Sequence, residues 1–197
     1  LMENVAQVLT KGNGEVKKKL ELFLKDQYHI GNKILYASDY GVPQKRKRCI
    51  ASNVNLELMR GYRNLCKEVT LGNVLESLSK DKVTDPNFKI TRSKNTLTEM
   101  DKEEPLNEEE ERMNRGMKRN HPVYNRMSFP EDENQPARTI TATCTRVSRE
   151  SLVVKDKKKF RRLSVRERAS VQGFPVNYEF HGSSHSNKLK MIGNAIP

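Results

Sequence analysis

Two arginines and two lysines alternate in Lys45-Arg46-Lys47-Arg48, directly after the polar loop Asp39–Gln44. In an extended segment successive side chains point to opposite faces, so the two arginines share one face and the two lysines share the other. A guanidinium group stays charged at neutral pH and presents hydrogen-bond donors in a fixed geometry. We therefore predict that Arg46 and Arg48 face a ligand pocket. The alternative is a solvated basic strand.

A second set of basic residues lies between Lys155 and Arg168. Eight Lys and Arg side chains are set there against only Asp156 and Glu167: Lys155, Lys157, Lys158, Lys159, Arg161, Arg162, Arg166 and Arg168. The cluster is typical of phosphate contacts, and equally typical of a charge-rich surface loop before a helix. A net charge of +12 favours a polyanionic partner such as nucleic acid, although a lysine-rich surface can also reflect genome base composition.

The three cysteines, Cys49, Cys66 and Cys144, are odd in number and widely spaced. This pattern fits neither a disulfide framework nor a zinc site with CxxC spacing, so we expect reduced structural thiols and no metal. No apolar stretch reaches the roughly 18 residues that span a bilayer, and no signal-peptide layout opens the chain. We expect a soluble protein of the cytoplasm.

The basic tetrapeptide is flanked by recognisable elements. A helical face is formed at i, i+4, i+7 and i+8 by Val16, Leu20, Phe23 and Leu24. Strands are predicted at Lys33–Ala37 and Cys49–Ala51. A second helix is predicted from Leu71, with Thr70 as its N-cap. Residues 81–125 are polar and show no clear period, which indicates a long solvated excursion or a small irregular domain; the glutamate run within Asp101–Arg112 is typical of a solvated helix face.

Order returns toward the end of the chain. The β-branched run Ala137–Thr143 and the apolar run Ser151–Val154 predict two strands. The sequence Ser164-Val165-Arg166-Glu167 matches a capping box, so a helix should begin there and end before Pro175.

Four motifs stand in a fixed order along the chain: Glu3-Asn4-Val5, the DYGVPQKRKR string from Asp39 to Arg48, the segment from Arg162 to Glu167 with Gln172-Gly173-Phe174-Pro175, and Gly193-Asn194-Ala195-Ile196-Pro197. In this order they resemble the later signature motifs of the DNA cytosine-5 methyltransferases. The dissimilar stretch Asn55–Gln135 lies where that family has its variable target-recognition region.

The resemblance implies an α/β, Rossmann-like methyltransferase fold with S-adenosyl-methionine as cofactor and double-stranded DNA as partner, in a restriction-modification context. It divides the chain into a catalytic-domain segment at 1–54, a target-recognition region at 55–149 and a return to the catalytic domain at 150–197. Methylation at C5 of a flipped cytosine requires a thiolate to attack C6 first, because C5 alone is a poor nucleophile.

The resemblance also implies roles for single residues. Glu3 would place a carboxyl group near N3 of the cytosine, the alternative being a residue that merely ends a strand and caps a turn. Arg48 would donate hydrogen bonds to the O2 side with Arg46 in support, and Asn194 and Ala195 would line the cofactor pocket. DNA contacts are expected from Gln44, Lys157, Lys158, Arg161 and Arg162.

Two parts of the family pattern are missing from the sequence. No cysteine follows a proline, as the nucleophile of the family does, and Gly12-Asn13-Gly14 lacks the third glycine of a cofactor loop and is interpreted as a linker. We expect a partial enzyme that is inactive alone and needs an N-terminal segment in cis or in trans. The alternatives are a non-catalytic DNA-binding subunit and an RNA-directed relative.

Overall fold

The computed structural model describes residues 2–24, 34–51, 56–120, 127–143, 145–181 and 184–197. The chain divides into two compact units: Leu1–Gly41 with Lys45–Glu68, and Val42–Gln44 with Val69–Pro197. These units are defined by contacts along the fold, and the functional division predicted near residues 54 and 149 stays a prediction. The first unit is a small sheet with helices, and the second unit contains most of the apolar core.

The first unit contains a three-stranded sheet in the order β1, β3, β2. Its strands are β1 at Met2–Val5, β2 at Ile34–Tyr36 and β3 at Lys47–Ala51, and the central β3 is antiparallel to both neighbours. Helix α1 spans Glu15–Leu24, and short 3-10 turns occupy Ala6–Leu9, Lys11–Gly14 and Ala37–Tyr40. Helix α2 spans Leu56–Arg63. The predicted first helix and the two strands are confirmed, with β3 beginning two residues earlier than expected.

The second unit begins with helix α3 at Leu71–Ser79 and the hairpin of β4 (Lys82–Thr84) and β5 (Thr91–Ser93). After a 3-10 turn at Lys94–Thr96 come helix α4 at Glu108–Arg119 and the hairpin of β6 (Val153–Asp156) and β7 (Lys159–Arg162). Helices α5 at Val165–Val171 and α6 at His185–Asn194 follow. The core joins α3, α5 and α6 through buried side chains that include Leu71, Val74, Val165, Ala169, Leu189 and Ile192.

Both predicted helix starts are confirmed by their hydrogen bonds. The Thr70 hydroxyl accepts from the Asn73 amide while the Asn73 side chain accepts from the Thr70 amide, so a reciprocal capping box opens α3. Ser164 and Glu167 form the same arrangement at α5, which ends at Val171, well before Pro175. Such boxes satisfy two backbone N–H groups that a helix start leaves without partners.

The glutamate run is confirmed as part of a helix. Four consecutive acidic residues, Glu108–Glu111, form the first turn of α4, and Lys118 and Arg119 lie in its last turn. This distribution complements the helix dipole, which favours negative charge at the start and positive charge at the end. Asn107 caps the helix and forms a box with Glu110.

The strand predicted at Ala137–Thr143 is wrong. Within it only Ala137 forms a β-bridge, to Gln44, and the rest is irregular. The reason is that neighbouring side chains take the backbone groups a sheet partner would otherwise use: the Ile140 N–H donates to the Gln44 side chain and the Thr141 carbonyl accepts from Arg168. A run of β-branched residues therefore indicates a buried segment as readily as it indicates a strand.

Candidate functional site

Glu3 and Arg48 meet on adjacent strands of the first unit. In the antiparallel pairing of β1 and β3, Glu3 is opposite Ile50 and Val5 is opposite Arg48, so Glu3 and Arg48 are diagonal neighbours on one face. The Nε atom of Arg48 forms an ion pair with Oε1 of Glu3, and Nη1 of Arg48 donates to the Lys47 carbonyl at 2.7 Å. The structure thus brings together the predicted carboxyl group and the predicted guanidinium donor.

Arg46 belongs to the same group of charges. Burial lowers the pKa of its guanidinium to about 10, with a further decrease from the charge of Arg48 and an opposing increase from Glu3. Arg46 is buried and Arg48 half-buried, whereas Lys45 and Lys47 are exposed. The predicted alternation of faces is therefore confirmed, and the solvated-strand alternative does not describe the two arginines. At neutral pH Arg46 remains charged.

The predicted DNA contact at Gln44 needs correction, because its side chain has no exposed surface. Its Nε2 donates to the Gln172 side chain at 2.7 Å and to the Val171 carbonyl at 3.3 Å, while its Oε1 accepts from the Ile140 N–H at 2.9 Å. A buried amide with its donors and acceptor engaged is a structural element of the second unit. It joins the DYGVPQ string to the QGFP segment.

The hydrogen-bond chain continues from Gln172 to the last motif. Nε2 of Gln172 donates to the Ala195 carbonyl at 2.5 Å, and the Ala195 N–H donates to Ile192 at 3.2 Å. The Ala195 backbone is thus fixed, whereas the Asn194 side chain is exposed. Its amide therefore offers a donor and an acceptor to a polar ligand.

The surroundings of residue 193 explain why the last motif has glycine at this position. A Cβ atom at this position would lie 2.2 Å from the Ala142 nitrogen and 2.3 Å from the Thr141 carbonyl carbon. The last turn of α6 consequently lies directly against the backbone of residues 141–142. Only glycine permits this approach without displacement of one segment.

The four basic residues predicted to contact phosphate have two different environments. Lys157 and Lys158 form the two-residue loop of the β6–β7 hairpin, because Asp156 pairs with Lys159, and both lysines are exposed. Lys157 has a left-handed backbone with φ of 56°. Their ammonium groups are accessible to a polyanion, as the prediction requires.

Arg161 and Arg162, by contrast, are buried in ion pairs, and their predicted phosphate contacts need correction. Arg161 binds both carboxylate oxygens of Glu167, at 2.7 and 2.8 Å, and donates to Asp156 at 2.8 Å. Arg162 donates to Glu103 at 2.6 Å. The bidentate geometry is the strong form of the arginine–carboxylate interaction, so these side chains fix α5 and the hairpin.

Two contributions to the site had no signal in the sequence. Gln172 opens the motif Gln172–Pro175, but its bonds to Gln44 and Ala195 depend on residues far away in the chain. Glu99 and Glu103 lie in the polar stretch, yet Glu99 forms an ion pair with Lys188 of α6 and the Glu103 carboxylate lies 2.9 Å from Nε2 of His185. Among the described residues, no group of three or more potential metal-ligating side chains is present. None of the described helices has the length and apolar character needed to cross a membrane.

The fold is that of methyltransferases. A DNA modification methyltransferase encoded within an Escherichia coli prophage superposes with a TM-score of 0.59 at 17% identity, covering 98% of this chain and 64% of that one. An Entamoeba histolytica methyltransferase gives a TM-score of 0.52 at 16% identity, covering 98% and 57%. At these identities the likeness concerns the fold alone.

The sequence assigns the family. The model of the C-5 cytosine-specific DNA methylase family matches residues 1–197, and the chain belongs to this family. It is 29% identical to the type II methyltransferase M.MthTI of Methanothermobacter thermautotrophicus over 100% of this chain and 61% of that protein. It is also 29% identical to M.BsuRI of Bacillus subtilis over 99% and 45%. The chain thus spans about half to three fifths of the length of these relatives.

Proposed function

We propose that the chain is part of an enzyme that transfers a methyl group from S-adenosyl-methionine to C5 of a cytosine flipped out of duplex DNA. The observation that carries the proposal is the group of Glu3, Arg46 and Arg48 on paired backbone of the first unit. The type II relatives support a restriction-modification role. Since the substrate would be cellular DNA, we place the protein in the cytoplasm, associated with the nucleoid.

The three charged groups suit the electronic demand of the reaction. Attack of a thiolate on C6 moves electron density onto the ring toward N3 and O2. N3 would take up a proton from solvent as the charge develops, the Glu3 carboxylate would accept a hydrogen bond from that N3–H group, and Arg48 would donate hydrogen bonds to O2. The ion pair between them fixes both side chains before the base arrives, so little reorganisation is needed when it binds. Arg46 adds a buried positive charge that stabilises the developing anion.

The last motif would hold the cofactor, which supplies the methyl group. The exposed amide of Asn194 is the group that can bond to it, and the backbone of Ala195 is fixed by Gln172. The bonded Ala195 carbonyl keeps Asn194 at one position relative to α5. We therefore assign Asn194 to direct cofactor contact and Ala195 to shaping of the pocket.

We assign phosphate contacts to Lys157 and Lys158. Their two-residue loop lies at the tip of a hairpin whose base is fixed by Arg161 and Arg162, so the loop presents its charge from a rigid support. Phosphate contacts of this kind position a protein on DNA and do not read sequence.

The nucleophile must come from outside these 197 residues, since none of their cysteines follows a proline. We propose that the chain alone is inactive and that a preceding catalytic segment restores activity in cis or in trans. The same observation favours a second candidate, a non-catalytic DNA-binding subunit.

The decisive experiment measures transfer of a labelled methyl group to cytosine in duplex DNA, by the chain alone and with the N-terminal segment of its gene. Transfer only with the complement supports the proposal. Transfer by the chain alone would refute the assignment of the missing nucleophile. A folded complement that binds DNA without transfer would favour the non-catalytic subunit, and transfer to transfer RNA in preference to DNA would favour an RNA-directed enzyme.

A further inference from the structure

Two acidic residues of the predicted recognition region reach helix α6. Glu99 forms an ion pair with Lys188, and the Glu103 carboxylate lies 2.9 Å from Nε2 of His185. His185 and Lys188 are three residues apart in the first turn of α6, so both contacts hold the same end of the helix. We call Glu99 and Glu103 the acidic clamp.

The clamp is itself held by the catalytic-segment elements β7 and α5. The Glu103 side chain, 9% exposed, also accepts from Arg162 of β7 at 2.6 Å. The Glu99 carbonyl accepts from the Arg166 N–H of α5 at 3.1 Å. Glu99 has a φ of 61°, in the left-handed region that a glutamate rarely adopts. Such a conformation persists only where surrounding bonds determine it, so the backbone at Glu99 is well defined.

The two ends of α6 are oriented by different contacts. Leu189 and Ile192 pack in the core of the second unit, and apolar burial is non-directional. Ion pairs with half-buried partners are directional, and Glu99 and Lys188 are each 20% exposed at the side chain. The clamp therefore orients the first turn of α6, while the contact of Gly193 with residues 141–142 and the Gln172–Ala195 bond hold the last turn, where Asn194 projects.

We propose that the acidic clamp is a positioning device that couples the recognition region to the cofactor-binding end of α6. This inference rests on the proposed cofactor role of Asn194. DNA bound to the recognition region changes the affinity for S-adenosyl-methionine through Glu99 and Glu103, and by linkage the cofactor changes the affinity for DNA by the same factor.

The test uses the enzyme that contains this chain, with the variants Lys188→Glu, Glu99→Lys and the double exchange. The dissociation constant for S-adenosyl-methionine is measured by calorimetry with and without duplex DNA. Each single variant should weaken cofactor binding about three- to thirtyfold, the range typical of coupled charges in contact, and should reduce the effect of DNA. The double exchange should restore both quantities to within about twofold. Lys190→Glu is the matched control, because Lys190 is exposed on the same helix.

Hydrogen exchange of the backbone amides at 192–195, measured without cofactor, gives a second readout. Faster exchange in both single variants, with recovery in the double exchange, supports the clamp. Single variants that bind cofactor and exchange like the wild type would overturn it, as would a double exchange no better than the worse single variant. A folded wild type that binds no S-adenosyl-methionine would refute the proposed function, and the exchange data would still decide on the clamp.

Discussion

Replacing Gly193 with alanine should destabilise the second unit although alanine favours helices. The added Cβ would lie 2.2 Å from the Ala142 nitrogen and 2.4 Å from the Ala142 Cα atom. Carbon atoms in contact are normally separated by about 3.5–4 Å, so one backbone segment must move by more than about 1 Å. Both segments are fixed, one by the buried Ile192 and the other by the bond between Gln44 and Ile140.

The magnitude follows from two opposing effects. Overpacking of a close-packed interior costs about 1–3 kcal/mol, and a clash between two backbones belongs at the upper end. Alanine gains about 1 kcal/mol over glycine in a helix interior. The expected net loss is about 2 kcal/mol in the free energy of unfolding. Gly116 in α4 is the matched control, since a Cβ there meets nothing within 4 Å, and Gly116→Ala should stabilise by about 0.5–1 kcal/mol.

Urea unfolding followed by circular dichroism gives both values from proteins purified in parallel. Opposite shifts of the two midpoints at equal slopes are the expected result. A Gly193→Ala variant as stable as the wild type would show that α6 does not lie against residues 141–142, and the explanation for the glycine of the last motif would fail with it.

Three further predictions concern charged groups. Replacing Lys157 and Lys158 together with alanine should reduce the slope of log affinity for DNA against log salt by about 1.8, because each phosphate contact contributes about 0.9; an unchanged slope would remove both lysines from the interface. In the active enzyme, Arg48→Ala should lower kcat by at least about a hundredfold and change the Kd for DNA less than about threefold, since its contact is to one base; equal losses would speak against that role. Lys102 and Arg161 bond to the Asp156 carboxylate and lower its pKa to about 2, so its stabilising effect is present above about pH 4 and is lost as the pH falls toward 2. Asp156→Asn should therefore lower the urea midpoint at pH 6 and leave it nearly unchanged at pH 2, and an equal shift at both pH values would contradict the ion-pair explanation.

Local signals in the sequence predicted local structure well. The capping boxes at Thr70 and Ser164 involve residues three positions apart, so the sequence contains all the groups that form them. The alternation of Arg46 and Arg48 with lysines likewise predicted which side chains are buried, because pleating has a fixed period of two. The grouping of Glu3 with Arg48 came from the resemblance, since residue spacing alone does not pair two strands.

Partners distant in the chain account for the errors. Arg161 and Lys158 are equally basic in the sequence, and the proximity of Glu167 and Asp156 makes Arg161 a buried ion-pair partner while Lys158 stays exposed. The burial of Gln44 could not be predicted for the same reason, because its hydrogen-bond partners are 96 to 128 residues away in the chain. A β-branched run such as Ala137–Thr143 indicates that a segment is buried, but whether a strand or a side chain satisfies its backbone depends on the rest of the fold.

The bonds of Gln44 and of the acidic clamp bear on any exchange of the predicted recognition region between relatives by recombination. In a graft that ends at Gln135, residues 137–142 come from the recipient. The contacts of Gln44 with Ile140 and of Gly193 with residues 141–142 are therefore unchanged by the exchange. The same graft replaces Glu99 and Glu103. His185 and Lys188 of α6 then keep carboxylate partners only if the donor sequence has acidic residues at the equivalent positions. Chimaeras that keep carboxylates at positions 99 and 103 should therefore retain the contacts to α6, and chimaeras that lose them should not, even though neither carboxylate is required to contact a base.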